Sequence, residues 1–272
     1  MQCILSAMKA ESAPVIDHFN LKRERKFSFP VFSNSDLFLI GIGIGKKKIA
    51  NRINSFIQSN NNVNIQFINI GIAGAKRGIS ELGNIYCIHK IIDHSTNQVF
   101  YPDILIKHFL EERVLTTVEK EINDGGKDYN TLVDMEASEI FRTCSKIVPL
   151  HNLFFYKIIS DHLSFDSGRL NYEQIKKIIN VHIGTLERLL VSCKDLGNIN
   201  SPILTIDEQN WIQDLTKTLS LTKTQNLNFT KLIKGFRLKN PNRSLPKVII
   251  SKPISKFHRN QQYKDICEKF TS

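Results

Sequence analysis

Three acidic residues follow apolar segments of this sequence and could exchange protons with a substrate. Glu11 comes after the run CILSAM, Glu136 closes the run LVDME, and Asp161 closes the run FFYKIISD. The carboxyl ends of strands meet at one edge of an α/β sheet, where such folds usually form their pockets. A pair of carboxyl groups, one acting as an acid and the other as a base, is the arrangement that hydrolyses glycosidic bonds.

Each of these acids also has a plain structural alternative. Glu11 and Glu136 lie at the starts of predicted helices, where a negative charge stabilises the first turn. Asp134, two residues before Glu136, shares that alternative, and Asp161 could cap the turn that follows its strand. The residue types alone leave these alternatives open.

A glycine loop, Gly71-Ile72-Ala73-Gly74, adds a place where the backbone could approach a ligand closely. An ordinary tight turn is the alternative. The eight His show no HExxH pattern, and the five Cys form an odd set without a CxxC pair. We therefore expect no metal site, no cofactor and no disulfide framework.

Short apolar runs alternate with amphipathic stretches over residues 2–196. Seven runs predict strands: Cys3–Ala7, Leu37–Ile42, Ile65–Ile70, Asn84–His89, Val114–Val118, Leu132–Met135 and Phe154–Ile159. Four stretches with helical spacing predict helices: Glu11–Phe19, Lys46–Gln58, Glu136–Ser145 and Tyr172–Cys193. Continuous runs such as FFYKIIS are typical of strands buried on both faces. We therefore predict an α/β fold, a three-layer sandwich with a central mixed sheet between helices.

The composition changes near Gly197, which predicts a domain over 1–196 and a basic C-terminal extension over 197–272. The extension holds 13 Lys+Arg and 5 Asp+Glu, against 24 and 21 in residues 1–196. Helices are expected after Thr205 and over Thr222–Phe236, followed by a Pro-interrupted segment that is predicted to be extended. This charge asymmetry suggests a small-molecule domain that carries a surface for a polyanion or an acidic partner.

The composition also argues against several classes of protein. No apolar run approaches the roughly 20 residues that a membrane-spanning helix needs. Lys9 and Glu11 interrupt the first apolar run before a signal-peptide core develops. A hydrophobic content of 41% argues against a wholly disordered chain. We expect a cytoplasmic protein without a membrane association.

Five segments, in order, resemble the nucleoside phosphorylase superfamily, and most closely the 5′-methylthioadenosine/S-adenosylhomocysteine nucleosidases. They are LSAMKAE at 5–11, GIGIGKKKIA at 41–50, INIGIAGAKRGISELGNI at 68–85, LVDMEASEI at 132–140 and YKIISD at 156–161. The resemblance spans most of residues 1–165 and does not extend to residues 197–272. It implies the fold predicted above, a purine nucleoside as substrate, and a homodimer.

The resemblance implies catalytic roles for two residues. Asp161 would protonate N7 of the departing purine, and burial in an apolar pocket could raise its pKa enough for it to carry that proton. Ser160 would orient the carboxyl group of Asp161. Glu11 would position and activate the attacking water.

It also implies a set of residues that hold the substrate. Glu136 would accept hydrogen bonds from the ribose 2′- and 3′-hydroxyls, and Met135 would pack against the sugar. Asp134 stands where the nucleosidases usually carry Glu, and its shorter side chain could still accept a hydroxyl. Ile72 and Gly74 would contribute the glycine loop.

The nucleophile is predicted from the residues around that loop. Purine phosphorylases place an Arg before the loop and a Ser within it to hold phosphate, and the corresponding positions here are Asn69 and Ile72. Without the guanidinium group a bidentate phosphate contact is lost, which favours water. The run Lys46-Lys47-Lys48 could attract an anion at a helix start, or it could be a solvated first turn.

One region departs from the nucleosidases. The segment between His94 and Thr131 is shorter than its counterpart, which brings aromatic and apolar residues to the base. Phe100 and Tyr101 could replace those residues or could belong to the core.

Together these observations predict a purine nucleoside N-ribohydrolase that needs no cofactor and acts in purine metabolism and methionine salvage. The alternatives are a phosphate-dependent purine nucleoside phosphorylase, or a non-catalytic nucleoside sensor. In the sensor, the basic extension would bind nucleic acid or an acidic partner.

Overall fold

A computed structural model of the 272-residue chain describes residues 1–60, 65–164, 170–199, 204–240, 243–246, 248 and 251–270. The chain divides into two compact units, Met1–Ile199 and Asn200–Ser272. Within the described residues the first unit contains ten strands and five α-helices, and the second contains three α-helices. No helix in those ranges is both long enough and apolar enough to span a membrane.

In the first unit, helices separate groups of strands along the chain. The strands are β1 (Gln2–Ser6), β2 (Lys22–Arg23), β3 (Val31–Ser33), β4 (Leu37–Gly41), β5 (Gln66–Ala75), β6 (Ile85–Asp93), β7 (Val99–Phe100), β8 (Glu111–Thr117), β9 (Leu132–Asp134) and β10 (Leu153–Asp161). The helices are α1 (Lys9–His18), α2 (Ile49–Gln58), α3 (Ala137–Cys144), α4 (Tyr172–Val181) and α5 (Ile183–Ile199). Short 3₁₀ turns occupy Lys46–Lys48 and Leu150–Asn152.

The strands form one mixed sheet in the order β10-β6-β8-β9-β5-β1-β4-β3-β2, with β7 beside β6. The strands β1, β4, β5 and β10 run parallel to their neighbours in that group, whereas β6 runs antiparallel to β10. Parallel pairing places the ends of β1, β5 and β10 at one edge of the sheet, as the sequence predicts for the acidic residues.

The sheet also closes on itself, because β10 pairs with β5 as well as with β6. The long strand β5 explains this closure. On one edge β1 pairs with β5 only from Gln66 to Asn69, and β9 takes the same edge at Gly74–Ala75. The opposite edge is occupied by β10 over this length. The predicted mixed sheet is therefore present, but five of its strands form a closed ring, which the prediction of a sandwich did not include.

Helices cover both faces of the sheet, which confirms the layered arrangement. One hydrophobic cluster packs α2 and α3 against the sheet, with Ile49, Ile53 and Phe56 as the buried stripe of α2. A second cluster packs α1, α4 and α5 against the other face, and Ile179 and Leu186 are among its buried members. Apolar side chains at helical spacing bury one stripe of a helix against the sheet.

Each of the seven predicted strands overlaps an observed strand, and the differences have local causes. The short strands β2, β3 and β7 were not predicted, since two or three residues carry no readable alternation. The predicted helix Tyr172–Cys193 is two helices that meet at His182. There the imidazole Nε2 lies 2.6 Å from the Gly83 carbonyl oxygen.

The second unit has its own apolar core. Its helices are α6 (Ile206–Thr218), α7 (Lys223–Lys239) and α8 (Lys256–Glu268). Phe229, Ile233 and Phe236 from α7 are buried, and Trp211 is partly buried beside Phe229. Capping boxes begin α6 and α7, because the side chains of Thr205 and Thr222 accept hydrogen bonds from backbone amides in the first turn.

Two expectations for this part of the chain are wrong. Helix α5 continues through Gly197 to Ile199, so the change in composition does not end the helix there. The segment predicted to be extended ends in a helix, α8, because the last proline is Pro253 and Ser255 caps the next turn. The run NINSP at 198–202, a plausible linker or turn from its composition, begins within α5, and its residues 200–202 lie outside the described residues.

Candidate active site

A cavity of about 520 Å³ opens at the edge of the sheet where β5, β9 and β10 end. All eight residues that the sequence singled out line this cavity: Glu11, Ile72, Gly74, Asp134, Met135, Glu136, Ser160 and Asp161. They come from four separate parts of the chain. The closure of the sheet brings β9, which ends in Asp134 and is followed by Met135 and Glu136, next to β5.

Glu11 lies in the first turn of α1 and is only 3% exposed. Its Oε2 atom accepts hydrogen bonds from the Ser6 hydroxyl and from the backbone amides of Ala7 and Met8. Its Oε1 atom accepts one hydrogen bond, from the Ile72 amide at 2.9 Å. This carboxylate is therefore held in place by four donors, while Oε1 retains capacity for another donor.

The glycine loop is part of strand β5 and not a tight turn. A Cβ atom on Gly71 would lie 2.9 Å from Glu11 Oε1. Glycine is thus required for the approach that lets the neighbouring amide of Ile72 bind Glu11. The side chain of Ile72 lines the cavity.

Asp161 ends β10 and lies beside Ser160 in the cavity wall. Its Oδ1 atom accepts a hydrogen bond from the Leu163 amide at 2.9 Å. The Ser160 hydroxyl oxygen lies 2.6 Å from Asp161 Oδ2 and 3.3 Å from the Ala73 carbonyl oxygen. The Ser160 hydroxyl thus donates to Asp161 Oδ2 and holds that oxygen in place.

Leu163 forms an apolar wall next to Asp161. Its backbone has a φ of 55°, in the left-handed region that a leucine rarely adopts. Cβ atoms on Gly74 and Gly126 would lie 2.2 Å and 2.5 Å from the Leu163 side chain. Both glycines are therefore needed for Leu163 to pack here, and its carbonyl binds the Gly125 amide at 2.6 Å.

Glu136 precedes α3 and points toward the loop before the 3₁₀ turn. Its Oε1 atom accepts a hydrogen bond from the Gly45 amide at 2.7 Å, and within the described residues no protein donor reaches Oε2. Burial and the neighbouring charge of Asp134 raise the pKa of Glu136 to about 7, although Lys157 opposes the shift. Gly45 has a φ of 74°, which suits glycine.

Asp134 lines the cavity, but protein donors already occupy both of its oxygens. Oδ1 accepts from the Thr117 hydroxyl at 2.7 Å, and Oδ2 accepts from the Ala137 amide at 2.9 Å. The ammonium group of Lys157 also lies 2.9 Å from Oδ2. The Asp134 side chain thus caps the first turn of α3, which is the structural alternative that the sequence left open for this residue.

Lys157 was not among the site residues predicted from the sequence. A lysine in the middle of a strand that is buried on both faces is unusual. Its side chain is 2% exposed, in β10. Burial alone would lower the pKa of Lys157, but Asp134 and Glu136 outweigh burial and raise it. Lys157 is the one charged residue in the run FFYKIIS, and this feature of the sequence could have predicted a buried cation that balances the acidic residues of the cavity.

Another buried carboxylate, Asp93 at the end of β6, lies outside the cavity and holds the loop that contains Gly45. Its oxygens accept hydrogen bonds from Lys46, Ser95, Ser138 and Arg142. Burial would raise the pKa of Asp93, but these donors outweigh burial and hold the pKa well below its usual range. The ammonium group of Lys46 is therefore committed to Asp93, while Lys47 and Lys48 are exposed.

The cavity is lined by acidic and apolar residues. Five carboxylate residues line it: Glu11, Glu121, Asp134, Glu136 and Asp161. The apolar lining includes Ile44, Val118, Ile122, Leu163, Leu170 and Ile175. Among the lining residues that the structure describes there is no Lys, Arg or His.

Phe100 and Tyr101, which the sequence suggested as contacts for the purine base, do not line this cavity. Phe100 packs against Phe141 and beneath Arg142, and Tyr101 is exposed, with Lys90 over its ring. The segment before β9, which includes Ile122, lines the cavity in their place. The sequence carried no clear signal for this segment, because it has no regular secondary structure.

No protein-family model matches the sequence, and no curated protein matches it. Among solved structures, the 5′-methylthioadenosine/S-adenosylhomocysteine nucleosidase of S. pneumoniae, with the transition-state inhibitor MT-ImmA, is 18% identical with a TM-score of 0.60. The match covers 71% of this chain and 99% of that chain.

Two further nucleosidase structures give the same result. The Helicobacter pylori protein with butyl-thio-DADMe-Immucillin-A is 16% identical, with a TM-score of 0.58, and 70% of this chain and 97% of that chain are covered. The Chlamydia trachomatis protein bound to MTA is 20% identical, with a TM-score of 0.53, and the covered shares are 69% and 97%. The resemblance indicated by the sequence motifs is therefore confirmed for the fold.

Proposed function

We propose that this protein hydrolyses the N-glycosidic bond of a purine nucleoside, with 5′-methylthioadenosine or a related thionucleoside as substrate. The observation that carries the proposal is the convergence of Glu11, Glu136 and Asp161 on one cavity with an apolar wall. The shared fold of the nucleosidases supports it.

In this proposal Glu136 holds the ribose. The Gly45 amide fixes Oε1, which leaves Oε2 to accept hydrogen bonds from the 2′- and 3′-hydroxyls. Met135 packs against the sugar. Asp134 acts as a positioning residue rather than a direct acceptor, because its oxygens already bind Thr117, Lys157 and the start of α3.

Glu11 would orient the attacking water and take its proton. Four donors keep the carboxylate in one position, and Oε1 is the atom with spare acceptor capacity. As the bond to the base breaks, the sugar gains oxocarbenium character. The nearby carboxylates would stabilise that positive charge in the transition state.

Asp161 would supply the proton to the purine. The Ser160 hydroxyl donates to Asp161 Oδ2 and would orient the carboxyl group toward the base. Leu163 beside it would exclude water from the base. The N-glycosidic bond then breaks with the electron pair passing to the purine, which accepts the proton on a ring nitrogen.

The charge of the cavity favours water over phosphate as the nucleophile. A phosphate dianion would meet five carboxylate residues and no cation in the described lining. Lys46, the nearest candidate from the sequence, is bound to Asp93 at 2.9 Å. Asn69, which replaces the phosphorylase Arg, donates to the Leu5 carbonyl and is buried.

The test is release of free base. Purified protein with 5′-methylthioadenosine is expected to yield adenine in phosphate-free buffer, and Asp161→Asn should lower kcat at least a hundredfold, as loss of a general acid does. Asp103→Asn, an exposed residue outside the cavity, is the matched control and should leave kcat unchanged.

Two other outcomes would contradict the proposal. Base release that requires added phosphate would indicate a phosphorylase. Binding of nucleosides without release of base from any of them would indicate a sensor. A homodimer, a cytoplasmic location and a place in methionine salvage stay predictions, to be checked by light scattering, fractionation and metabolite analysis.

A further inference from the structure

The second unit contains a long stretch of chain with positive charges alone. Between Asp214 and Asp265 there is no acidic residue. The same stretch holds twelve cationic side chains: Lys217, Lys223, Lys231, Lys234, Arg237, Lys239, Arg243, Lys247, Lys252, Lys256, Arg259 and Lys264. So uneven a distribution is typical of a surface that binds a polyanion.

Helix α7 gathers part of this charge on one exposed face. At about 100° per residue, Lys223, Leu227, Lys231, Lys234 and Leu238 fall within an arc of about 80°. All five are exposed. They lie opposite the buried residues of α7 that form the core of the unit. We call these five residues the α7 stripe.

The lysines of the α7 stripe have no carboxylate to neutralise them. Within the part of the chain that the structure describes, none of the three forms an ion pair with Asp or Glu. The acidic residues of the unit lie on α6 and α8, and Glu208 is engaged by Arg237. The positive charge of the stripe therefore faces solvent.

We propose that the α7 stripe binds the phosphate backbone of single-stranded nucleic acid. From Lys223 to Lys234 the helix rises by about 16 Å. That rise matches roughly five phosphates at the spacing of one strand in a duplex, and a single strand can adjust its spacing to the lysines. Affinity arises here from release of counterions, so it does not depend on sequence.

An exposed aromatic residue favours a single strand as the partner. Phe257, in the first turn of α8, is 80% exposed. Asn260, one turn later, contacts Gln225 near the start of α7, so Phe257 lies at the same end of the bundle as Lys223. Aromatic side chains beside a basic surface stack on the unpaired bases of a single strand.

The two leucines do not make the stripe a membrane-binding face. Leu227 and Leu238 are 56% and 66% exposed, but they are three turns apart, and Lys231 and Lys234 lie between them. A helix that enters a bilayer interface needs a continuous apolar face. The stripe has the opposite pattern, isolated leucines among lysines.

The experiment measures binding of the full-length protein to a fluorescein-labelled 20-nucleotide single strand by anisotropy, from 50 to 300 mM salt. The variant K223E/K231E/K234E is expected to lose at least tenfold in affinity at 100 mM salt. The slope of log K against log salt should fall by about 2, since each lost phosphate contact contributes about 0.7. Phe257→Ala should weaken binding about fivefold.

Matched controls separate the stripe from overall charge. K107E/K146E/K177E changes three exposed lysines of the first unit and alters the net charge equally, and it should bind as the parent does. L227S/L238S should also bind as the parent does. Thermal unfolding of each variant checks that the fold is retained, and K223Q/K231Q/K234Q repeats the test without new acidic groups.

Several results would overturn the proposal. Equal losses in both triple-lysine variants would mean that net charge alone matters. Equal or tighter binding of a 20-base-pair duplex would exclude a single strand as the preferred partner. Binding to phosphatidylserine vesicles or to polyglutamate, with none to the single strand, would identify another partner. None of these results depends on the nucleosidase reaction.

Discussion

Glu136 illustrates how single residues of the cavity depend on their neighbours. Its carboxyl group is buried and faces Asp134 from β9, Lys157 from β10, Glu11 from α1 and the Gly45 amide. Burial and the charge of Asp134 raise its pKa to about 7, so the group titrates in the physiological range. The proposed contact with the ribose hydroxyls requires the ionised form, because a carboxylate has more acceptor sites than a protonated acid.

The pH dependence of KM follows from this pKa. At pH 6 about a tenth of Glu136 is ionised and at pH 8 about nine tenths, so KM for a nucleoside should be roughly tenfold higher at pH 6. Glu136→Gln should have a high KM at both pH values. A parent enzyme whose KM is equal at pH 6 and pH 8 would remove Glu136 from the ribose site.

Position 71 requires glycine because the Glu11 side chain lies against it, and not because of its own backbone conformation. An added Cβ would lie 2.9 Å from Glu11 Oε1, and the four hydrogen bonds of Glu11 prevent an easy retreat. Gly71→Ala is expected to lower kcat at least tenfold, since a misplaced base loses much of its catalytic contribution. The melting temperature should change by only a few degrees. A variant with full activity would mean that Glu11 does not act on the water. Gly184→Ala tests the general effect of a lost glycine, since its Cβ would meet nothing within 4 Å and it lies in helix α5 without a positive φ.

Lys157 balances the charge of a buried acidic cluster, so its replacement should lower the free energy of unfolding. Lys157→Met leaves Asp134 buried without its cation, and such changes cost about 3 kcal/mol or more of unfolding free energy. The double variant D134N/K157M should recover part of that loss, because residue 134 then carries no charge that lacks its cation. Urea unfolding measures both. Equal stability of the parent and the single variant would show that the pair contributes nothing.

At the scale of elements, the buried carboxylate of Asp93 joins β6, the 3₁₀ turn and α3. Lys46 from the 3₁₀ turn donates a hydrogen bond to this carboxylate, and so do Ser138 and Arg142 from α3. Gly45 directly precedes Lys46 and donates to Glu136. The position of the proposed ribose acceptor is thus tied to a residue outside the cavity.

This connection predicts a binding defect rather than a catalytic one. Lys46→Met should release the loop that carries Gly45 and raise KM about three- to tenfold, the effect of losing a charge-assisted hydrogen bond, with kcat nearly unchanged. The neighbouring Lys47 is exposed, so Lys47→Met is the control and should leave KM unchanged. A fall in kcat with constant KM in Lys46→Met would contradict this positioning role.

Element prediction succeeded where burial leaves a regular pattern. Strands such as β5 and β10 are continuous apolar runs, and α2 buries Ile49, Ile53 and Phe56 at helical spacing. It failed where a tertiary contact intervened. The helix break at His182 depends on the distant Gly83 carbonyl, and the hairpin strands β2 and β3 have too few residues for a pattern.

At the scale of the whole molecule, the two units differ in charge and each has its own apolar core. The second unit is formed around Phe229, Leu215 and Phe270, with Trp211 packed at its edge. Its basic residues lie on a helical unit that the nucleosidase motifs do not include. We therefore propose catalysis for the first unit and nucleic-acid binding for the second.

Truncation after Ile199 tests this division. Residues 1–199 should release adenine with a kcat within about twofold of the full chain, because the cavity lies wholly in that unit. Binding to the labelled single strand should be lost. Loss of activity in a truncated protein that keeps its circular dichroism and cooperative melting would show that residues 200–272 contribute to catalysis.

The sequence by itself determined the residues of the candidate site, the order of most strands and helices, and the uneven charge. These features are local, because burial on one face or two leaves a periodic pattern and each motif occupies a few neighbouring positions. Only the tertiary structure decided the closure of the sheet, the pairing of Lys157 with Asp134 and the donation from Gly45 to Glu136. The last contact joins residues 91 positions apart. Such contacts depend on the path of the whole chain, and a local pattern carries no record of them.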